Sequence, residues 1–266
     1  MDESPWTAEL SERARACLRG RRVWFLGNSV ARHWAFLLVD LMYNNVTKAT
    51  RMPSSLRQDQ KHRCSAGGVF GGKRADTDEN GGSLNKKNLD CFGMCACDFV
   101  EVDGLLGVDH SLSFGWTWGI ASAKIFDYLA SPAGPDVVVY NAGLPGSVCP
   151  ECKSGESVVD AQSRELRTRL EAVLAKRPKM HFYWRDSTAL CQGWTKENPL
   201  VMMLNDKIAR QIRDLPQVRY LNAFNWTEDR CSEYDDRIHH SVLAFAHVTT
   251  WLRQECGLTS LQKQEG

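Results

Sequence analysis

The feature that most constrains the fold is the apolar run from Val137 to Tyr140. Three successive valines favour a strand, and Pro135 before the run and Asn141 after it are typical of strand ends, which predicts a strand over Asp136–Tyr140. A strand that is apolar on both faces is typical of the centre of a parallel sheet covered by helices on both sides. The rest of the chain must therefore supply those helices and the neighbouring strands.

Strand and helix patterns alternate along the chain. Further strands are predicted at Val23–Leu26, Asp98–Val102, Ser111–Trp118, Met180–Trp184 and Val218–Asn222. Helices are predicted at Pro5–Leu18, Ser29–Tyr43, Ala121–Leu129, Val158–Lys176, Asn198–Asp214 and Ser241–Cys256. Ser4-Pro5 and Asn198-Pro199 are expected to cap two helices, and Gly257 to end the last one. Because crossovers between parallel strands are right-handed, this order predicts an α/β fold: a three-layer α/β/α arrangement with a mostly parallel, flavodoxin-like sheet.

Neither a linker nor an internal repeat divides the sequence, so we expect a single domain over residues 1–266. One segment departs from the alternating pattern. Asn44–Cys97 is rich in Gly, Asn, Lys and Asp, and it predicts a long loop excursion from the domain at about residues 44–97.

The charge and hydropathy patterns exclude several classes of partner. The 33 basic residues balance the 32 acidic ones, so the chain lacks the broad basic surface that binding to nucleic acid or an anionic membrane requires. The most apolar stretch, Val23–Met42, is interrupted by Arg32, His33 and Asp40, and so predicts no transmembrane helix. Met1–Arg22 lacks the apolar centre of a signal peptide.

The ten cysteines and the sequons at Asn45 and Asn225 suggest a secretory lumen or the Golgi, although sequons also arise by chance and cysteines also serve as buried apolar residues. A structural zinc site is a second interpretation, but the spacings fit one only in part. Its ligands would be Cys91, Cys95, Cys97, Cys149 and Cys152. Reduced thiols in a cytosolic protein are a third interpretation of the cysteines. The sequence therefore leaves the localisation open.

Polar residues follow the predicted strands at the carboxyl end of the sheet, where open α/β folds bind ligands. Ser29 follows the first strand and begins a helix, so its N–H and the positive helix end face whatever its hydroxyl attacks. The side-chain amide of Asn141 is placed to donate a second hydrogen bond to the same oxyanion. His239 and Asp236 precede the last helix, where His239 can take the Ser29 proton while Asp236 orients its imidazole.

Each residue alone has an ordinary explanation. A serine at a helix start is most often an N-cap, an asparagine after a strand a turn residue, and a histidine beside a helix a surface residue. His240 competes with His239, but only His239 has an aspartate three positions earlier. His33 is expected to be a packed helix residue.

The segment Phe25–Arg32 resembles the first block of the SGNH/GDSL hydrolase superfamily, in its PC-esterase branch. That branch contains trichome-birefringence-like polysaccharide O-acetyltransferases and the proteins that O-acetylate fungal capsule and animal sialic acid. Four later segments resemble further blocks of the branch in the expected order: Leu112–Trp116, Pro135–Gly143, Tyr183–Thr188 and Asp236–His239. Asn28 stands where the branch more often has Asp, and the Gly of the second block has only the uncertain candidates Gly115 and Gly119.

The resemblance implies a serine esterase or O-acetyltransferase with catalytic Ser29, Asp236 and His239, and with an oxyanion hole at Ser29 and Asn141. It implies no metal and no cofactor, an acyl donor and a carbohydrate acceptor as partners, and disulfides that hold the long loop. Arg32, Trp116 and Arg185 are candidate substrate contacts, although an ion pair with Asp186 or another acid is an equal explanation for Arg185.

Three other functions remain open. One alternative is a catalytically inactive carbohydrate-binding relative, and another is a hydrolase of small esters whose substrate is not a sugar. A nucleotide-binding Rossmann protein is disfavoured, because no Gly-x-Gly-x-x-Gly follows the first strand. The tryptophans near the expected site suit sugar stacking and core packing equally; they are Trp24, Trp34, Trp116, Trp118, Trp184 and Trp226.

Overall fold

The sheet has six strands in a computed structural model that describes residues 5–43, 47, 96–98, 111–116, 120, 123–141, 156–235 and 238–258. The strands are β1 (Arg22–Gly27), β2 (Ala96–Asp98), β3 (Ser111–Trp116), β4 (Val137–Tyr140), β5 (His181–Arg185) and β6 (Val218–Leu221). Their order is β2-β3-β1-β4-β5-β6. The edge strand β2 runs antiparallel to β3, and every other neighbouring pair is parallel. The mostly parallel, flavodoxin-like sheet is confirmed.

The helices that connect these strands are α1 (Ala8–Leu18), α2 (Ser29–Tyr43), α3 (Ala123–Leu129), α4 (Glu156–Lys176), α5 (Asn198–Ile212), α6 (Phe224–Thr227) and α7 (Ser241–Cys256). Two short 3-10 turns cover Thr195–Glu197 and Cys231–Glu233. The predicted strand at Asp98–Val102 overlaps β2 only at Asp98, and residues 99–102 lie outside the described part of the chain.

Alternation along each central strand divides the core into two layers. Val23 and Phe25 of β1 pack against α1, α2 and α7 on one face of the sheet. Trp24 and Leu26 point to the other face, which α3, α4 and α5 cover. Because both faces are buried, the sheet lies between two helical layers, as the three-layer prediction requires.

The start of one predicted helix and the cap of another differ from the prediction. Helix α1 begins at Ala8, because the Thr7 side chain accepts the Leu10 N–H at 3.2 Å and caps the first turn, so the predicted start at Pro5 is wrong. Asn198 bonds both backbone groups of Leu190 instead of capping α5. The predicted stop at Gly257 is confirmed, since that residue has a φ of 60° in the left-handed region.

Disulfides join two pairs of segments that are distant in the sequence. Cys17 of α1 bonds Cys256 of α7, which ties the first helix to the last. Cys191 bonds Cys231, which ties the loop after β5 to the 3-10 turn before His239. The long loop at residues 44–97 lies outside the described residues apart from Thr47 and β2, so disulfides that hold it remain a prediction, as does the single domain.

The strand order reverses around β1. The chain leaves β1 through α2 and returns to β3 on one side, then crosses through α3 to β4 on the other side. In open α/β sheets the crevice for ligands forms at the carboxyl ends of the strands at this reversal. The ends of β1, β3 and β4 therefore mark the edge where a functional site is expected.

Candidate functional site

The carboxyl end of β1 leads directly into helix α2. Gly27 ends the strand, and the helix begins at Ser29. The Asn28 side chain accepts the Val30 N–H at 3.0 Å, so it satisfies one of the free donors in the first helical turn. This asparagine therefore has a structural task at the turn, and the Ser29 backbone lies at the positive end of the helix. The Ser29 side chain is outside the described part of the structure, as are those of Arg32 and Trp116.

Gly27 allows β1 and α2 to approach the end of β4 closely. Its φ is 154°, and a Cβ atom at this position would lie 2.8 Å from the Cβ of Ala31 and 3.0 Å from the carbonyl oxygen of Asn141. Real Cβ atoms do not approach other atoms so closely. The absence of a side chain at Gly27 therefore brings the turn before Ser29 against Asn141.

The side chain of Asn141 is held in one orientation. Its backbone N–H donates to the Leu26 carbonyl at 2.8 Å, which continues the β1–β4 pairing by one residue. Its amide nitrogen Nδ2 donates to the Arg185 carbonyl at 2.9 Å, and the residue is buried. That bond uses one of the two N–H groups of the amide and fixes the plane of the other.

His239 reaches the same edge from the far end of the chain. Its imidazole stacks on that of His33, with ring centroids 4.7 Å apart and an interplanar angle of 25°. His33 is buried in α2 and follows Ser29 by four residues, which places both on one side of that helix. The packed residue expected at His33 is therefore packed against the predicted general base.

The segment before His239 is anchored on both sides. The Asp235 N–H donates to the His239 carbonyl at 2.8 Å, and the Tyr234 hydroxyl donates to the Ala189 carbonyl at 2.7 Å. The Cys191–Cys231 disulfide links the same two segments. Asp236 lies outside the described residues, so its contact with His239 remains a prediction.

Arg185 ends β5 and is only 1% exposed. Its guanidinium carbon lies 5.1 Å from the centre of the Trp34 ring. Burial lowers the pKa of Arg185 to about 10. Asp186 accepts hydrogen bonds from the backbone N–H groups of Ala223 and Phe224, and burial raises the pKa of its carboxyl to about 7. In the part of the chain that the structure describes, Arg185 makes no ion pair with Asp186 or another acid.

Two buried histidines lie next to this arginine. His240 packs on Tyr234, with ring centroids 4.9 Å apart. His247 of α7 packs between Trp34 and Trp226, at 5.3 and 4.2 Å. Burial, reinforced by the charge of Arg185, lowers the pKa of His240 to about 3, and burial together with the neighbouring His240 lowers the pKa of His247.

Sequence reasoning did not identify Gly27, His33 or His247 as residues that shape this region. For Gly27, the available signal was its position between a predicted strand and a predicted helix. The sequence around His247 carries only helical periodicity, which does not identify a partner.

Burial separates the tryptophans for which the sequence allowed both sugar stacking and core packing. Trp24, Trp34 and Trp184 are fully buried, so core packing accounts for them. Trp116 ends β3, where its backbone pairs with Gly27. Trp116 therefore stays a candidate substrate contact at the carboxyl edge.

The described residues form neither a metal-binding cluster nor a membrane-spanning helix. The described ranges contain no group of three or more His, Cys, Asp or Glu side chains arranged to hold a metal ion. Of the cysteines in the alternative zinc site, Cys97 is described in its backbone within β2, and the others lie outside the described residues. None of the described helices is long and apolar enough to cross a membrane.

Comparison with known proteins adds no inference about this chain. No protein family matches this sequence, and no curated protein matches it. Among solved structures, the chain is similar to the lipase Lip_vut3 from a goat rumen metagenome, with a TM-score of 0.40 and 16% sequence identity over 59% of this chain and 83% of that chain. A similarity of this size carries no inference about activity. The functional conclusion therefore depends on the residues and the geometry described above.

Proposed function

We propose that this chain is a serine-dependent O-acyl esterase or O-acyltransferase in which Ser29 is the nucleophile and His239 and Asp236 complete a catalytic triad. The observation that carries the proposal is the position of the His239 imidazole, which stacks at 4.7 Å on His33, four residues after Ser29. A residue 210 positions later in the chain thus lies beside the helix that begins at the proposed nucleophile.

The first half of the reaction forms an acyl-enzyme. His239 accepts the proton of the Ser29 hydroxyl while Oγ attacks the carbonyl carbon of an ester, and the carbonyl π electrons move to the oxygen. The Ser29 N–H and the Asn141 amide donate hydrogen bonds to that oxyanion. The intermediate then collapses, and His239 gives its proton to the departing alkoxide.

The second half resolves the acyl-enzyme. His239 takes a proton from water or from a sugar hydroxyl, whose oxygen attacks the acyl carbon, and Ser29 recovers its proton as the Oγ–acyl bond breaks. Asp236 orients the imidazole and stabilises its charged form. Arg32 and Trp116 are the residues we assign to substrate contact, since both belong to segments at the carboxyl edge of the sheet. No step needs a cofactor.

Replacing Ser29 with alanine tests the nucleophile. We expect Ser29→Ala to lower the hydrolysis of p-nitrophenyl acetate by about a thousandfold or more, the scale for loss of a triad member. The matched control is Thr7→Ala, which removes a helix cap far from the edge and should cost about 1 kcal/mol of stability with no loss of activity. Wild-type turnover by a pure, folded Ser29→Ala protein contradicts the proposal, and so does a wild-type chain that binds glycans but turns over no ester.

The acceptor distinguishes transfer from hydrolysis. We propose a carbohydrate acceptor, because transfer requires a bound hydroxyl that competes with water at about 55 M, and orientation at a binding surface makes that competition feasible. Adding oligosaccharides to the enzyme and an acetyl donor should yield acetylated sugar, detected by mass spectrometry. An unchanged acetate yield across a broad glycan panel favours the small-ester hydrolase.

A further inference from the structure

A group of polar side chains is buried behind the carboxyl edge, between α2, the end of β5 and α7. It consists of Trp34, Arg185, His240 and His247, and we call it the inner polar cluster. Three of its members are 1% exposed, and His247 is 5% exposed. Arg185 lies 5.1 Å over Trp34, Trp34 lies 5.3 Å from His247, and His247 lies 6.0 Å from His240.

Most side-chain nitrogens of this cluster have no hydrogen-bond partner among the described residues. Among the described residues, Nε and Nη1 of Arg185, Nε1 of Trp34 and both ring nitrogens of His240 and His247 bond to no protein atom. Buried polar groups are nearly always satisfied in folded proteins, and an exception implies an ordered water or an ion. Because these nitrogens belong to neighbouring side chains, they indicate one shared bound molecule or ion, which we call the guest.

The charge of the cluster points to the nature of that guest. The pKa of Arg185, about 10, leaves the guanidinium positively charged at neutral pH. Its acidic neighbour Asp186 is already bonded to the N–H groups of Ala223 and Phe224 and forms no ion pair with it in the described structure. A buried cation without a partner is strongly unfavourable, so a negative charge beside Arg185 would stabilise the fold.

The numbers of hydrogen-bond donors and acceptors in the cluster also favour a negatively charged guest. Arg185 and Trp34 carry only donors in the cluster, and each neutral imidazole adds one donor and one acceptor. Donors therefore outnumber acceptors. A water molecule brings as many donors as acceptors and leaves this excess in place, whereas an anion accepts only. The near-complete burial of all four side chains favours a small ion over a bulky ligand.

We propose that the inner polar cluster binds a small inorganic anion of halide size, held by the guanidinium of Arg185 and by N–H groups of Trp34, His240 and His247. This site is separate from the proposed serine chemistry and does not depend on it. It gives Arg185 a structural role behind Asn141, whose amide is fixed on the Arg185 carbonyl at 2.9 Å.

Denaturant unfolding in bromide tests the site. The protein is unfolded and refolded in sodium bromide or in sodium gluconate at equal ionic strength, because gluconate is too large to enter. For a dissociation constant of about 10 mM, 100 mM bromide should raise the folding equilibrium constant about elevenfold over gluconate. Arg185→Gln should abolish this difference, and Trp34→Phe, which keeps a ring but removes the N–H, should reduce it.

The matched control is Arg230→Gln. Arg230 also lies over an indole, that of Trp226 at 4.7 Å, but it is paired with Glu233. Its replacement should leave the bromide effect intact. Crystals grown in bromide should show an anomalous peak beside the Arg185 guanidinium. Equal stability in bromide and gluconate, or a peak that refines as water without an anomalous signal, overturns the proposal even if Arg185→Gln does not fold.

Discussion

Replacing Gly27 with alanine would test how closely the turn before Ser29 approaches Asn141. The new Cβ would lie 2.8 Å from the Ala31 Cβ, 3.0 Å from the Asn141 carbonyl oxygen and 3.2 Å from the Asn141 Cβ. The Ala31 Cβ and the Asn141 carbonyl belong to a helix and a strand end, so neither moves aside as a flexible side chain would. The φ of 154° is also unfavourable for a residue with a side chain.

These two effects set the magnitude. Backbone strain of this kind costs about 1–3 kcal/mol, and overpacking a core costs about 1–3 kcal/mol more. Gly27→Ala should therefore lower the free energy of unfolding by about 2–6 kcal/mol, a fall in Tm of roughly 5–20 °C for a chain of this size. If the proposed serine chemistry is correct, a displacement of about 1 Å at Asn141 should also slow the reaction about a hundredfold.

Gly20→Ala separates the two effects. Gly20 also has a positive φ, 72°, but a Cβ there would meet nothing within 4 Å. It should cost about 1–2 kcal/mol of strain, with unchanged activity. Urea unfolding of both variants measures the difference. A Gly27→Ala protein as stable as Gly20→Ala, with its ester hydrolysis intact, would refute the close approach and the positioning of Asn141 that depends on it.

Three further predictions concern other parts of the molecule. Asn141→Ala should lower kcat about a hundredfold or more with little change in KM, because an oxyanion donor acts in the transition state; a pure rise in KM would instead make it a substrate contact. Burial lowers the pKa of His240 to about 3, so the protein loses stability as the pH falls below about 6.5, where unfolding lets this imidazole bind a proton. Between pH 7 and pH 5, the free energy of unfolding of His240→Gln should fall by about 2 kcal/mol less than that of the unaltered protein. Equal falls would contradict the buried neutral imidazole. The two disulfides among the described residues take up four of the ten cysteines, so denatured, unreduced protein should titrate at most six thiols, and ten free thiols would refute both bonds.

Local patterns were enough to predict the central strands of the sheet. The β-branched run before Tyr140 and the apolar run before Gly27 are buried on both faces. A strand that is buried on both faces requires a continuous apolar sequence, which can be recognised without a structure. Helix starts and caps depend on single hydrogen bonds, which explains the wrong start at Pro5 and the wrong cap at Asn198. There, the Thr7 hydroxyl and the Leu190 backbone decided the outcome.

The candidate site could be predicted in its order but not in its contacts. The sequence by itself placed Ser29, Asn141 and His239 after or before the appropriate elements, because the carboxyl ends of parallel strands meet at one edge. Only the tertiary structure decided that His239 stacks on His33 and that Gly27 abuts Asn141.

The inner polar cluster depended entirely on the tertiary structure. Helical periodicity indicates that Trp34 and His247 face inward. It does not indicate that they contact each other, or that Arg185 joins them with no ion pair to an acid among the described residues. The physical reason is that a hydrophobic pattern indicates which residues are buried, whereas the pairing of buried charges depends on which distant segments pack together.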